Sequence, residues 1–272
     1  MAGSDSIKIL TTPDQWEHQQ RVGSAFGVYP VIHHMDYMYK FMAVNANSTQ
    51  AAVENYFAAG DAWSKRLLEI VTGSLPSGVG SGSILEFASG YGRVTRFLPK
   101  LFPLARLVAC DIHPGACRFI RSALGVSALQ SDADPASALL EGPYEVVSAM
   151  SFFSHMPDDT FGPWLAALWN VVSPNGLLMF STHGAAMAPG GRDTDVYRTI
   201  VQSGYSFTPS SEQHDLDPTE YGSSFVTPDY VLSKITSHAP RAELLAVEEG
   251  GWFRQDLYVI RKGTESGSEV VG

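Results

Sequence analysis

The feature that most constrains this chain is a short apolar run that breaks into a glycine turn between residues 83 and 96. The run reads ILEF (84–87), the turn reads ASGYG (88–92), and apolar residues then recur at helical spacing from Val94. This pattern predicts a strand, a tight turn and a helix in succession. Glycine lets the backbone approach a ligand closely, and the helix behind the turn offers unpaired N–H groups. We therefore expect a ligand at this turn, although a Gly-rich loop that binds nothing has the same pattern.

Two kinds of ligand site use such a turn, and the residues around it distinguish them. Dinucleotide-binding enzymes have G-x-G-x-x-G, whose third glycine lets helix and strand pack tightly, but Thr95 occupies that position here. The acidic residue and the small residues after it, Glu86-x-Ala88-x-Gly90-x-Gly92, resemble motif I of the class I S-adenosylmethionine (SAM) dependent methyltransferases. The usual form of that motif is E/D-x-G-x-G-x-G, so Ala88 departs from it and narrows the turn.

The resemblance implies roles for the residues of the turn. The loop is expected to pack against the methionine part of SAM through Ala88, Ser89, Gly90 and Gly92. The acidic strand residue, Glu86, is expected to help orient the amino group of SAM.

A second buried-strand pattern, RLVAC (106–110), ends in Asp111, roughly 20 residues beyond the glycine turn. Nucleoside-binding sheets place a carboxylate there, which can accept hydrogen bonds from both ribose hydroxyls. The alternative is a helix cap, because a helical pattern starts near Pro114. The segment ACDIHP (109–114) resembles the second motif of the family, which implies that Asp111 and Ile112 contact the cofactor.

The third predicted strand (126–129) is followed by Gln-Ser-Asp-Ala. In the family, a polar residue here binds the adenine amino group. The resemblance therefore implies this role for Asp132, with Ala133 donating a backbone N–H to the ring. Asp134 is an alternative, since either aspartate can instead cap a turn.

The fourth predicted strand ends in SFFSHMP (151–157), on the sheet edge where open α/β sheets bind ligands. The segment resembles motif IV of the family, which implies that Ser151 and Phe152 flank SAM. His155 is a candidate general base, because imidazole titrates near neutrality. Its alternative role is to fix the loop by hydrogen bonding to the backbone. His183, at the end of the fifth predicted strand, is a second candidate base.

Alternating strand and helix patterns with two closing strands predict a doubly wound α/β fold. The expected architecture is a mostly parallel seven-stranded sheet with a C-terminal antiparallel hairpin and an N-terminal helical cap. The segment LWNVVSPNGLLMFS (168–181) also resembles the L-x-P-G-G-x-L segment of the family. The expected limits are 1–72 for the helical or lid region, 73–262 for the SAM-binding domain with an insertion at about 184–226, and 263–272 for a flexible tail.

Tyrosines in the cap and the insertion are candidate contacts for the methyl acceptor: Tyr37, Tyr56, Tyr197 and Tyr221. The aromatic and Met-rich segment 29–42 suits an adaptable pocket wall or lid, or else the core of a helical subdomain. No metal is expected, because the adjacent side chains of His33 and His34 point in different directions and lack H-x-x-x-H spacing.

Composition narrows the possible partners and location. The net charge is −10 and no Lys/Arg-rich run occurs, which disfavours a nucleic-acid acceptor. No apolar stretch is long enough to span a membrane. The two cysteines, Cys110 and Cys117, have no metal or redox spacing, and reduced thiols favour the cytoplasm. A homodimer is left open.

Together these patterns predict a SAM-dependent methyltransferase that transfers a methyl group to an oxygen, or a nitrogen, of a small molecule. A natural product or sugar derivative is the expected acceptor, on overall resemblance to bacterial enzymes of this type. One alternative is a SAM-binding protein of this fold that does not methylate. An NAD-dependent oxidoreductase is the other, and the missing third glycine and the Glu86 ahead of the turn argue against it.

Overall fold

The computed structural model describes residues 12–264 apart from residues 76, 193 and 212, so most of the expected tail lies outside the described residues. A seven-stranded sheet in the order β3-β2-β1-β4-β5-β9-β8 organises this part of the chain. Its strands are β1 (Ser83–Phe87), β2 (Arg106–Asp111), β3 (Ser127–Gln130), β4 (Tyr144–Ala149), β5 (Val172–Thr182), β8 (Ala242–Trp252) and β9 (Gln255–Lys262).

The first five strands are parallel, and β9 pairs antiparallel with both β5 and β8. The chain adds β2 and β3 on one side of β1 and then returns to place β4 on the other side. Open α/β sheets bind ligands at such a reversal of strand order. The predicted fold class is confirmed, and the expected ligand edge coincides with the reversal.

Helices cover both faces of the sheet because successive strand residues point to opposite sides. Ile84 packs in one apolar cluster with Leu67 and Val71, whereas its neighbour Leu85 packs in another with Trp169. The covering helices are α3 (Thr49–Ser74), α4 (Leu98–Leu101), α5 (Pro114–Phe119), α6 (Asp158–Asn170) and α8 (Pro228–His238). None of the helices among the described residues is long and apolar enough to cross a membrane.

The N-terminal cap consists of α1 (Pro13–Ala25), α2 (Tyr37–Asn45) and α3. A buried polar network attaches this cap to the segment after β1. The Tyr56 hydroxyl donates to Asp36 Oδ2 at 2.6 Å, and Arg96 Nη2 donates to the Tyr56 oxygen at 3.2 Å. Arg96 also donates to the backbone oxygen of Tyr29 at 2.9 Å. Tyr56, expected to contact the acceptor, is instead fully buried in this network, because its apolar ring packs into the cap core.

Segment 184–226, which we call the insertion, contains α7 (Asp195–Ser203) and a separate antiparallel pair, β6 (Tyr205–Thr208) and β7 (Ser223–Val226). An isolated bridge between Gly184 and Val226 closes its base.

Residues 174–176 have the composition of a turn, but they lie inside β5, where the register against β4 shifts and Asn175 has φ of 62°. The turn residues therefore form a bulge in a longer strand.

Candidate active site

A cavity of about 270 Å³ opens at the carboxyl ends of β1, β2 and β4. The cap contributes Tyr37 to its wall, and the insertion contributes Asp215 and Tyr221. Ten of the eleven residues predicted to bind the cofactor line it: Glu86, Ala88, Ser89, Gly90, Asp111, Ile112, Asp132, Ala133, Ser151 and Phe152. Residues far apart in the sequence thus meet at one sheet edge.

The glycine turn after β1 is left-handed at three positions, Ala88 (φ 57°), Gly90 (φ 56°) and Gly92 (φ 78°). A methyl group on Gly90 would meet open space, whereas one on Gly92 would lie 2.5 Å from Leu124 Cδ1. Gly92 therefore serves packing behind the turn, and it is the one predicted cofactor residue that does not line the cavity.

The methionine end of the expected site pairs a carboxylate with a cation. The Thr95 hydroxyl donates to Glu86 Oε2 at 2.6 Å. Burial raises the pKa of Glu86 to about 7, although the Thr95 hydrogen bond and the Arg93 charge oppose the shift. Arg93 lines the same cavity, and burial lowers its pKa. Its Nη1 atom is buried without a hydrogen-bond partner among the described residues.

Arg93 was not predicted from the sequence. An arginine directly after a glycine turn looks like an exposed helical residue, and only its burial beside Glu86 distinguishes it. Thr95, whose identity excluded the dinucleotide motif, supplies the hydroxyl that orients Glu86.

The Asp111 carboxylate lies at the end of β2 and holds the glycine turn. Its Oδ2 accepts from the Gly90 N–H at 2.7 Å, and its Oδ1 accepts from the His113 N–H at 3.0 Å. Its side chain does not cap the following helix, where His113 is the N-cap residue without a side-chain cap hydrogen bond. The capping alternative for Asp111 is therefore not realised.

The two aspartates after β3 have different surroundings. Asp134 accepts from the Ala136 N–H at 2.9 Å and from the Ser137 hydroxyl at 3.2 Å, so it stabilises a local turn. Asp132 and Ala133 line the cavity instead, and Asp132 Oδ1 accepts from the Asp134 N–H at 3.1 Å. The geometry favours Asp132 over Asp134 for ligand contact.

The turn after β4 is fixed by a glutamine from the last strand. Ser151 has φ of 56°, and its N–H donates to Ser181 Oγ at 2.8 Å. Both Ser181 and Ser151 donate their hydroxyls to Gln255 Oε1, at 2.6 and 3.2 Å. These hydrogen bonds stabilise the left-handed backbone conformation of Ser151, which is energetically unfavourable for a residue with a Cβ atom.

The apolar wall of the cavity is aromatic. The Phe152 ring lies edge-on to Phe87 and Trp164, with centroid distances of 4.9 and 5.2 Å. All three residues line the cavity, and they are buried. Water is therefore largely excluded from this side.

His155 lines the cavity and is oriented by the insertion. Its Nδ1 lies 2.7 Å from the Gly222 carbonyl oxygen, and its ring stacks on Tyr221 at 4.4 Å. A carbonyl oxygen only accepts, so Nδ1 carries the proton and Nε2 is the acceptor nitrogen of the neutral ring. His155 therefore contacts the backbone, as a residue that fixes the loop would, and also lines the cavity, as a general base would.

His183 lies outside the cavity lining. Its ring is 5.8 Å from His155 and stacks on Phe225 at 5.2 Å. Burial, reinforced by the His155 charge, lowers the pKa of His183 to about 4. Both the position and the low basicity argue against the predicted role as a base.

Of the four candidate tyrosines, two line the cavity and two pack into apolar clusters away from it. Tyr37 and Tyr221 line the cavity. Tyr197 packs instead against the apolar cluster of Ala188, Ile200 and Phe225 inside the insertion. Helical spacing does not show whether an aromatic residue faces a core or a cavity. Among the described residues, no group of His, Cys, Asp and Glu is arranged to hold a metal ion.

A comparison with protein families found one match, which covers the first part of the sheet and the segments between its strands. Residues 84–176 match the family model described as a methyltransferase domain, Methyltransf_25. The matched segment spans the motifs from Glu86 into the first residues of β5, so the predicted resemblance to class I SAM-dependent methyltransferases is confirmed. No curated protein matches the chain.

Solved structures share the fold at low identity. DesVI of Streptomyces venezuelae has a TM-score of 0.56 and 14% identity, covering 86% of this chain and 100% of DesVI. SAM-bound CalS10 of Micromonospora echinaspora, an amino pentose methyltransferase, has a TM-score of 0.54 and 13% identity, covering 75% of this chain and 91% of its own. Magnesium protoporphyrin IX methyltransferase of Synechocystis, with SAH bound, has a TM-score of 0.53 and 9% identity, with coverages of 92% and 95%.

Proposed function

We propose that this chain is a SAM-dependent methyltransferase that acts on a small molecule. The observation that carries the proposal is that Glu86 and Arg93, whose side chains can carry opposite charges, line one cavity that also contains Asp111. SAM joins an amino acid, which carries one charge of each sign, to a nucleoside. The charges along the cavity match that order.

The residues present fit SAM group by group. The unpaired Nη1 of Arg93 suits the carboxylate, and Glu86 suits the amino group. Asp111 suits the ribose hydroxyls, and Asp132 with Ala133 suits the adenine. When bound, SAM supplies a methyl group already activated by a sulfonium. The protein then has to position the acceptor, exclude water and remove the acceptor proton.

His155 is the proposed base for that proton. Its Nε2 is the acceptor nitrogen of the neutral ring, because Nδ1 faces the Gly222 carbonyl. An oxygen acceptor gains most from such a base, since an amine can lose its proton after transfer. Tyr37 and Tyr221 are the proposed acceptor contacts. A sugar-derived acceptor is supported by the similarity to CalS10, and the net charge of −10 supports a small molecule over a nucleic acid. The buried free thiols Cys110 and Cys117 support a reducing compartment such as the cytoplasm.

Isothermal titration with SAM, S-adenosylhomocysteine (SAH) and NAD tests the cofactor. We expect binding of SAM and SAH but not of NAD. Asp111→Asn should weaken SAH binding by about tenfold or more, since a charged acceptor is lost. Asp134→Asn is the matched control, because Asp134 serves only a local turn, and it should bind SAH normally. Binding of NAD without SAM would replace this proposal with the oxidoreductase.

Turnover separates catalysis from simple cofactor binding. A screen of hydroxyl- and amine-bearing small molecules should reveal at least one that yields SAH from SAM. Tight SAM binding without SAH formation across the screen would favour a protein of this fold that does not methylate.

A further inference from the structure

His113 connects the proposed ribose carboxylate to the insertion. Its Nδ1 lies 2.8 Å from Asp111 Oδ1, and its Nε2 lies 3.2 Å from Asp215 Oδ2. The His113 side chain is 17% exposed and lines the cavity, whereas the Asp215 side chain is 41% exposed at the cavity rim. One ring thus bridges two carboxylates, one in the sheet and one in the insertion.

The hydrogen bonds of Asp111 leave little room for a ribose. A carboxylate offers about four acceptor positions, two on each oxygen. The Gly90 N–H uses one on Oδ2, and the backbone and ring of His113 both use Oδ1. One position therefore remains, but two ribose hydroxyls need two. Removing the His113 ring leaves one position on each oxygen, which suits two neighbouring hydroxyls.

The protonation state of the ring follows from its partners. The ring is hydrogen bonded to Asp111 through Nδ1, and its Nε2 lies at ion-pair distance from Asp215 without a hydrogen bond, so the two flanking carboxylates favour the imidazolium. The hydrogen bond with Asp111 raises the pKa of His113, and Asp215 adds to the effect while burial opposes it. Tyr91 of the glycine turn also lies near this group, and burial, with Asp111 and Asp215, raises its pKa. Tyr37 of α2 has its ring centroid 6.0 Å from that of His113. Burial and a hydrogen bond to Asp215 raise the pKa of Tyr37 to about 12, so it stays neutral near pH 7.

We propose that the His113 ring occupies the place of a ribose hydroxyl on Asp111, so that capture of the cofactor expels the ring and releases Asp215. This inference rests on the proposed function. The ring acts as a latch between the sheet and the insertion, and the nucleoside opens it. Since Tyr37 and Tyr221 border the same rim, the release frees the acceptor side of the cavity as the cofactor side fills.

Because of this latch, the affinity for SAH depends on the protonation of His113. Below the raised pKa of His113 the imidazolium holds both carboxylates and competes with the ribose. As the pH rises through that pKa the ring becomes neutral and competes less. SAH affinity therefore increases with pH, and binding releases a proton from the expelled ring.

The test measures SAH affinity by titration at about pH 6 and about pH 8, on either side of ordinary imidazole titration. The proteins are wild type, His113→Gln, Asp215→Asn and the control His18→Gln, whose histidine lies in α1. Glu86 and the SAH amino group also titrate, but they do so in every variant.

In wild type and His18→Gln, affinity should rise between the two pH values by a larger factor than in His113→Gln. His113→Gln should bind SAH more tightly than wild type at the lower pH. Asp215→Asn removes an exposed rim carboxylate without touching Asp111, and it should reduce the pH effect part of the way.

Equal pH effects in wild type and His113→Gln would overturn the inference. Weaker SAH binding by His113→Gln at both pH values would also overturn it, because His113 would then position Asp111 rather than compete for it. Absence of SAH binding by wild type at either pH would instead overturn the proposed function itself.

Discussion

The Thr95 hydroxyl donates a 2.6 Å hydrogen bond to the carboxylate of Glu86, which lines the cavity. This bond favours the ionised carboxylate, whereas burial favours the protonated acid and prevails. Glu86 therefore changes charge near neutral pH, where a cationic amino group would bind to it.

The first prediction concerns stability against pH. The folded-state pKa of Glu86, about 7, lies above the ordinary 4.5. Its contribution to stability is therefore fully present below about pH 4.5 and is lost as the pH rises through about 7, by roughly 3 kcal/mol. Glu86→Gln should flatten this part of the stability–pH curve, measured by urea unfolding without ligand. The exposed Glu141→Gln should leave the slope unchanged, and an unchanged slope in Glu86→Gln would contradict the prediction.

The second prediction separates stability from binding at Arg93. Arg93→Met leaves the buried Glu86 carboxylate without its neighbouring cation, so it should lower the free energy of unfolding near neutral pH by about 1 kcal/mol or more. The same variant should bind SAH about tenfold more weakly or worse, since a charge-assisted hydrogen bond to the carboxylate is lost. Binding of 5′-methylthioadenosine, which lacks the amino acid, should not change. The surface variant Arg198→Met serves as control, and equal losses for both ligands would refute the assignment.

The third prediction distinguishes the two histidines at the strand ends. With an acceptor from the screen, His155→Gln should lower single-turnover SAH formation by about 10² or more while SAM affinity is kept. His183→Leu should retain turnover, because His183 lies outside the cavity and stacks on Phe225. Full activity in both variants would mean that catalysis here is positional only.

The fourth prediction is the acid behaviour of His183. Its folded pKa, about 4, lies below the ordinary 6.5, so its contribution to stability is present above about 6.5 and is lost as the pH falls through 4. His183→Leu should flatten the stability curve over that range, measured by thermal unfolding. The slope is opposite in sign to that of Glu86, so the two variants control each other.

The fifth prediction compares two glycines of one turn. Gly92→Ala combines a left-handed backbone with a 2.5 Å contact to Leu124, and it should cost about 2–4 kcal/mol of stability. Gly90→Ala has only the backbone cost, about 1–2 kcal/mol. The new methyl group of Gly90→Ala would enter the cavity, so this variant should bind SAH more weakly. The folded fraction of Gly92→Ala should bind SAH normally. Equal effects on both properties would contradict this division.

The sheet was predictable because its central strands are buried on both faces and read as continuous apolar runs. Because these strands are parallel, their carboxyl ends lie at one edge of the sheet, and the motifs there placed Glu86, Asp111 and Ser151 at that edge. The start of β5 was not predictable, because Asn175 and its neighbours have the composition of a turn, and only pairing with β4 makes them a bulge.

The side chains that depend on distant parts of the chain were less predictable. Tyr56 and Tyr197 have the same aromatic character as Tyr37 and Tyr221, but only the packing of the cap and the insertion decides which of them face the cavity. The contact between His113 and Asp215 joins residues about a hundred positions apart, so no local pattern indicates it.

Gln255, which accepts from Ser151 and Ser181, has a consequence for the order of events during translation. Every residue that lines the cavity precedes Gln255 in the chain. Likewise β8 leaves the ribosome before β9, yet it meets the rest of the sheet only through β9. A nascent chain that stops short of β9 thus contains every residue that lines the cavity but lacks the strand that sets the Ser151 turn. The cavity is therefore completed by β9, the last strand to be synthesised, which contributes none of the residues that line it.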